Sequence, residues 1–254
     1  MNFIEKPNLP QGPVTLAVVD GRLESEIEAE LIKQGLELIK TNIHKGVYEA
    51  ISFHPDVMLH HLLGRDIVYA PGTHSALLSA LKEKGFRLIK GSAKLSIAYP
   101  GNIAYNVARV GNLAFHNLNY TDPLLKEALI KMGVDLVHVK QGYSKCSISI
   151  INERSIITSD KGIAEAAINK GVEALLIESD ENISLPGLKG GFLGGSSGLI
   201  DKNKWVVTRD IKTLKSAKKI QNFLDQKNMQ IISLVQGQPI DIGSIIPLLT
   251  KNGL

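Results

Sequence analysis

Five stretches of the chain repeat one order of apolar and polar positions: a short apolar run, a segment with apolar residues three and four apart, then a second short apolar run. They begin at Val14 (VTLAVVDGRLESEIEAELIKQGLELIKT), Arg65 (RDIVYAPGTHSALLSALKEKGFRLIKG), Gly111 (GNLAFHNLNYTDPLLKEALIKMGVDLVHV), Arg154 (RSIITSDKGIAEAAINKGVEALLIES) and Lys204 (KWVVTRDIKTLKSAKKIQNFLDQKNMQIISLV). The middle segments carry the spacing of an amphipathic helix, as at Leu23, Ile27 and Leu31 or at Leu124, Ala128 and Met132. Gly35, Gly85, Gly133, Gly171 and Asn228 stand where each helix should end in a left-handed residue. The pattern predicts strand, helix, strand, five times.

Between these units lie further apolar runs, each with a small polar residue at a recurring place: HPDVML, PGNIAYNV, KCSISII, GGSSGLI and PIDIGSII. The recurring residues are Asp56, Asn102, Ser147, Ser196 and Asp241, separated by 46, 45, 49 and 45 positions. That regularity points to five supersecondary repeats. The intervening LGRD, VGN, NER and DKNK read as hairpin turns into the next unit. The first unit has no such strand before it, and the last strand, 239–249, has no unit after it. Pairing the two would close five equal strand-strand-helix-strand units and leave no open sheet edge. The expected fold is therefore α/β: a five-bladed α/β propeller of pseudo-five-fold symmetry, in one domain spanning 1–254. Its units are about 14–41 with 239–249, then 50–91, 97–139, 143–179 and 190–235. A TIM barrel would need eight strand–helix pairs without hairpins.

Composition narrows the class further. The 254 residues are 44% hydrophobic, 5% aromatic and 21% charged, which excludes disorder, collagen and coiled coil. The 29 Lys and Arg against 25 Asp and Glu leave a net charge of +4. Arginine, suited to bidentate phosphate and base recognition, occurs only at 22, 65, 87, 109, 154 and 209. The densest basic run, Lys212, Lys215, Lys218 and Lys219, reads as a solvated helix face before it reads as a nucleic-acid surface. The single cysteine, Cys146, cannot form an intrachain disulfide and suits a reducing compartment. The opening MNFIEKPNLPQGP lacks a signal-peptide pattern, and no run of ~18 apolar residues exists. A cytoplasmic protein is expected, with a small-molecule partner and neither membrane nor nucleic acid.

The five-fold ring resembles the pentein superfamily, which holds arginine deiminase, dimethylargininase, the amidinotransferases and the non-catalytic translation initiation factor six. His54-Pro55-Asp56-Val57 resembles the His-x-Asp strand of its deiminases. Gly194-Gly195-Ser196 resembles their Gly-Gly-Asp strand with Ser in place of Asp. The resemblance implies a Cys nucleophile on the last strand, a His base matching His54, and carboxylates for a guanidinium matching Asp56 and Asp241. The last strand, Pro239-Ile240-Asp241-Ile242-Gly243-Ser244, has no cysteine.

If the recurring polar residues face the axis, strand alternation brings in those two positions before them. The inner set is then His54 with Asp56, Pro100 with Asn102, Lys145 with Ser147, Gly194 with Ser196, and Pro239 with Asp241. His54, Asp56, Asn102, Lys145, Ser147, Ser196 and Asp241 are the expected ligand-binding residues. They suit a zwitterion or guanidino compound, with Lys145 on the anionic end; the bland alternative is a self-satisfied polar hub. Cys146, one residue from Ser147, should face away as inert core unless a bulge rotates it inward. His54, Asp56 and His60 share a strand face at metal-ligand spacing, but no cysteine or third-ligand pattern accompanies them. No metal and no cofactor are expected. The glycine-rich run 190–197 lacks the Lys-Ser/Thr ending of a phosphate loop. The leading expectation is a small-ligand binding protein without thiol chemistry. One alternative is a guanidino hydrolase using Cys146, His54 and Asp241; the other is a ribosome-associated protein.

Overall fold

The computed structural model describes residues 2–179, 182–188 and 190–251, so both ends of the expected 1–254 domain lie outside the described residues. Along the chain the elements are β1 (Asn2–Phe3), β2 (Val14–Val19), α1 (Ser25–Lys33), β3 (Glu37–Lys40), α2 (Pro55–Met58), β4 (Leu59–Leu63), β5 (Asp66–Tyr69), α3 (Ser75–Glu83) and β6 (Arg87–Lys90). Then follow β7 (Ala108–Val110), β8 (Leu113–His116), α4 (Pro123–Lys131), β9 (Asp135–His138), α5 (Ser144–Ser147), β10 (Ile148–Asn152), β11 (Ser155–Thr158), α6 (Lys161–Asn169) and β12 (Glu173–Leu176). The last are β13 (Ser197–Asp201), β14 (Lys204–Arg209), α7 (Ala217–Gln226), β15 (Gln230–Val235) and β16 (Ile246–Thr250).

Among the described residues these make a mixed α/β fold of five small sheets, with no closed barrel. Four sheets have three strands each, in the orders β4-β5-β6, β7-β8-β9, β10-β11-β12 and β13-β14-β15. In each, a hairpin makes the first pair antiparallel and a helix crossover makes the second pair parallel. The fifth sheet, β1-β16-β2-β3, joins distant parts of the chain: β16 lies antiparallel to β2, with Ile246 opposite Val18. The strand pairing expected from the unmatched terminal runs is present, and β1 adds an edge that the pattern did not announce.

The five crossover helices bury one stripe each: Ile27 and Leu31, Leu77 and Leu81, Leu125 and Leu129, Ile163 and Ala167, Ile220 and Leu224. Asp122 and Asp160 cap α4 and α6, accepting from Leu125 N (2.8 Å) and Ile163 N (2.9 Å). Gly35, Gly85, Gly133, Gly171 and Asn228 all have positive φ, as the helix stops require. Trp205 is fully buried in β14 and donates to Ser149 Oγ at 2.9 Å. No described helix is long and apolar enough to cross a membrane.

One expectation fails locally. The recurring polar residues do not sit on strands: Asp56 lies in α2 and Ser147 in α5, one-turn helices that end where β4 and β10 begin. Pro55 at the first position of α2 supplies a φ already suited to a helix. Ser196 and Asp241 likewise precede β13 and β16. Two-residue alternation therefore does not govern which side chains meet.

Candidate functional site

Hydrogen bonds link the turns before the five inner strands in a closed circuit. Asn106 Nδ2 donates to Asp56 O (3.2 Å), and Asn106 Oδ1 accepts from Lys145 N (2.8 Å) and Cys146 N (3.3 Å). Gly195 N donates to Cys146 O (2.9 Å), while Gly195 O accepts from Ile242 N (3.0 Å) and Ser244 N (2.7 Å). Asp56 N donates to Gly243 O at 3.4 Å, which returns the circuit to its start. Two glycines allow this approach. A Cβ on Gly194 would fall against the carbonyls of Cys146 and Ile148, and one on Gly195 inside the Asp241 carboxylate.

Inside this circuit the helical turn of α5 directs Cys146 inward, correcting the inference from strand parity. Its thiol donates to Asp56 Oδ2 (3.1 Å) and accepts from Asn106 Nδ2 (3.2 Å). The same Oδ2 lies 2.9 Å from Ser244 Oγ, which also reaches Gly194 O at 2.9 Å and accepts from Lys145 Nζ at 2.9 Å. Lys145 thus meets Asp56 through a hydroxyl. Ser244 is fully buried and holds φ of 74°, an uncommon conformation for a residue with a Cβ.

His54 completes the cluster. One potential ligand atom from each of His54, Asp56 and Cys146 lies within 4.8 Å of the others, and all three residues are buried. The His54 nitrogens lie 3.9 Å from Asp20 Oδ2 and from Asp241 Oδ1, too far for hydrogen bonds. Neither nitrogen has a hydrogen-bond partner among the described residues, and nor does Asp56 Oδ1. Asp241 is held by Gly243 N (3.0 Å) and Phe192 N (2.9 Å). Asp20 is held by Arg22, whose guanidinium also reaches Glu49 O and Ala50 O.

Burial and charge act together on these groups. Burial pushes the Cys146 thiol well above its ordinary value, and the Asp56 and Asp241 charges push it the same way. Burial also raises Asp241, with His54 opposing. Lys145 is lowered by burial, against the pull of Asp56, Cys146 and Asp241. A cavity of about 130 Å³ is lined by Asp20, Arg22, Ile240 and Asp241, two of whose carboxylates stand 3.9 Å from His54. A smaller one, about 20 Å³, touches Asp56, His60, Tyr105 and Lys145.

Of the expected ligand-binding residues, His54, Asp56, Lys145 and Asp241 converge. Asn102 does not: its Oδ1 accepts from Tyr143 Oη (2.9 Å) and its Nδ2 donates to Ile97 O, while Asn106, four residues on, takes the inner place. Ser196 Oγ is turned back onto Leu193 O at 3.0 Å. Ser147 Oγ is buried without a partner among the described residues. His60 lines the smaller cavity instead of joining Cys146, and its neighbour His61 is buried against Gly64 O. Asp20, Asn106 and Ser244 lie outside the expected set, which takes one recurring polar residue per inner strand and the residue two positions before it. The run PGNIAYNV nevertheless held both asparagines.

A model of a family described as "Family of unknown function (DUF6873)" matches residues 18–246. No curated protein matches the chain by sequence. Among solved structures, the inosamine-phosphate amidinotransferase of Streptomyces griseus is similar with a TM-score of 0.60 and 12% identity, over 99% of this chain and 98% of that one. The agmatine deiminase of C. jejuni gives 0.57 and 11%, over 92% and 90%. The DDAH of Pseudomonas aeruginosa, solved with citrulline, gives 0.55 and 8%, over 89% and 92%. The fold is that of the pentein superfamily.

Proposed function

Because the chain belongs to the family of unknown function DUF6873, we propose from its own geometry that it binds the guanidinium group of a small molecule and modifies it through Cys146. In this reading the five sheets are the blades of one propeller closed by β2 and β16, and the site lies at its axis. The observation that carries the reading is the convergence of Cys146, His54, Asp56 and Asp241 in one buried cluster. The similarity to an amidinotransferase and an agmatine deiminase supports it at the level of fold.

The electrostatics favour a cation. Asp20, Asp56 and Asp241 surround His54 and Cys146, and Arg22 already engages Asp20. A guanidinium against Asp56 and Asp241 would offset the two charges that hold the thiol protonated. The thiol proton then passes to His54, and sulfur bonds to the guanidinium carbon. The C–N bond to one amine breaks, and that amine leaves with the proton from His54. The amidino carbon stays on Cys146 until water or an acceptor amine displaces the sulfur. The 130 Å³ cavity suits a small head group better than a drug-sized ligand.

The test is intact-mass analysis after incubation with arginine, agmatine and dimethylarginine, with assays for citrulline, ammonia and released amine. An adduct on Cys146 or product formation, abolished in Cys146→Ser and His54→Ala, is expected. No adduct, no product and no thermal stabilisation across the panel would end the reading.

A further inference from the structure

We propose that His54, Asp56 and Cys146 form a binding site for a thiophilic divalent cation, Zn²⁺ being the fitting ion. The donors are one imidazole nitrogen, one carboxylate oxygen and one sulfur, a set that zinc takes at distances of about 2.0–2.3 Å. Their ligand atoms lie within 4.8 Å of one another, so a small inward movement brings all three onto one ion. The inference does not rest on the guanidino reading, because it needs no organic substrate.

Three observations point to an ion instead of a self-contained polar hub. First, His54 is 1% exposed and neither ring nitrogen has a hydrogen-bond partner among the described residues. A buried imidazole left so is costly, and a cation bound to one nitrogen would satisfy it. Second, Asp56 commits Oδ2 to Cys146 and Ser244 while buried Oδ1 has no partner, leaving one oxygen for a ligand. Third, the surroundings resemble the outer support of a metal site. Asp20 and Asp241 flank the imidazole at 3.9 Å, while Asn106 and Ser244 orient the sulfur and the carboxylate.

Binding replaces the S–H bond with a sulfur–zinc bond and releases one proton to solvent. The carboxylates of Asp56 and Asp241, buried beside the sulfur and the imidazole, then face a cation.

The chain's single cysteine makes the test direct, because any sulfur-to-metal band must come from Cys146. The chelator-treated full chain, kept reduced with a phosphine, is titrated with Co²⁺. The expected spectrum shows a near-ultraviolet sulfur-to-cobalt band and intense four-coordinate visible bands, both removed by an equivalent of Zn²⁺. A competing chromophoric chelator then measures Zn²⁺ affinity, which should rise with pH. In Cys146→Ser and His54→Gln it should fall by more than the ~10–100-fold that loss of an outer partner costs. The variants' metal-free melting points check their folding, and the wild-type spectrum decides the matter should they fail to fold. Absence of the sulfur band in wild type, or Zn²⁺ affinity unchanged in both variants, overturns the proposal. Either result leaves the guanidino reading to its own assay of adducts and products.

Discussion

The turn of α5, residues 144–147, and the turn 193–196 occupy the same place before β10 and β13, yet they do opposite things. The first presents Lys145 and Cys146 to the cluster. The second presents backbone: Gly194 O to Ser244, Gly195 N to Cys146 O, and Gly195 O to Ile242 and Ser244. Its missing side chains leave room for the Asp241 carboxylate and the Cys146 carbonyl. The difference teaches that in a repeat, one turn can carry chemistry because its neighbour surrenders side-chain volume.

The most severe way to break the comparison is Gly195→Ala. Its Cβ would lie within the Asp241 carboxylate, so Asp241 or the turn must move. Loss of at least the roughly 1–3 kcal/mol typical of overpacking is expected in urea denaturation, with Cys146 chemistry lost as well. The same urea midpoint in variant and wild type would show that the close approach is unimportant.

Thiol reactivity sharpens it next. Burial, Asp56 and Asp241 all hold the Cys146 proton on. Native alkylation by iodoacetamide should therefore climb about tenfold per pH unit beyond the ordinary thiol range, whereas the denatured chain levels off near pH 9. Asp56→Asn removes one of the charges and should bring the native profile to lower pH. A native plateau at neutral pH would contradict the present account of the site.

The smallest effects separate two equivalent serines. Ser196 Oγ has a partner in Leu193 O, so Ser196→Ala should cost about 0.5–1.5 kcal/mol. Ser147 Oγ is buried without a partner among the described residues, so Ser147→Ala should be neutral or slightly stabilising. Equal losses from both, measured as urea midpoints, would remove the distinction.

Much of the architecture was legible because it rests on local chemistry. Gly35, Gly85, Gly133, Gly171 and Asn228 mark helix ends that need a left-handed residue, and paired apolar runs around NER or DKNK mark hairpins. His54, Asp56 and Asp241 were legible as residues but not as geometry. Alternation placed Cys146 outside because 144–147 reads as strand, whereas the tertiary bonds that Lys145 N and Cys146 N donate to Asn106 Oδ1 support the helical turn closed by Ser147 N on Tyr143 O. Pro55 offered a local hint at the matching turn of α2, whereas KCSI offers none. Asn102 fits the repeat spacing but stands six positions before β7, whereas Asp56 stands three before β4 and Ser147 one before β10, so Asn106, two before β7, holds the matching place.

The circuit of hydrogen bonds through residues 56, 106, 146, 195 and 243 has a consequence for reading relatives of this fold. A circle has seats but no first seat. On the proposed reading, a nucleophile expected on the last strand and met two inner strands after His54 need not be a lost residue; it would be the same office filled from another chair. Joining residue 251 to residue 2 by a short linker, and opening the chain in the β13–β14 hairpin between Asp201 and Lys204, would renumber every seat while leaving the neighbours of Cys146 unchanged.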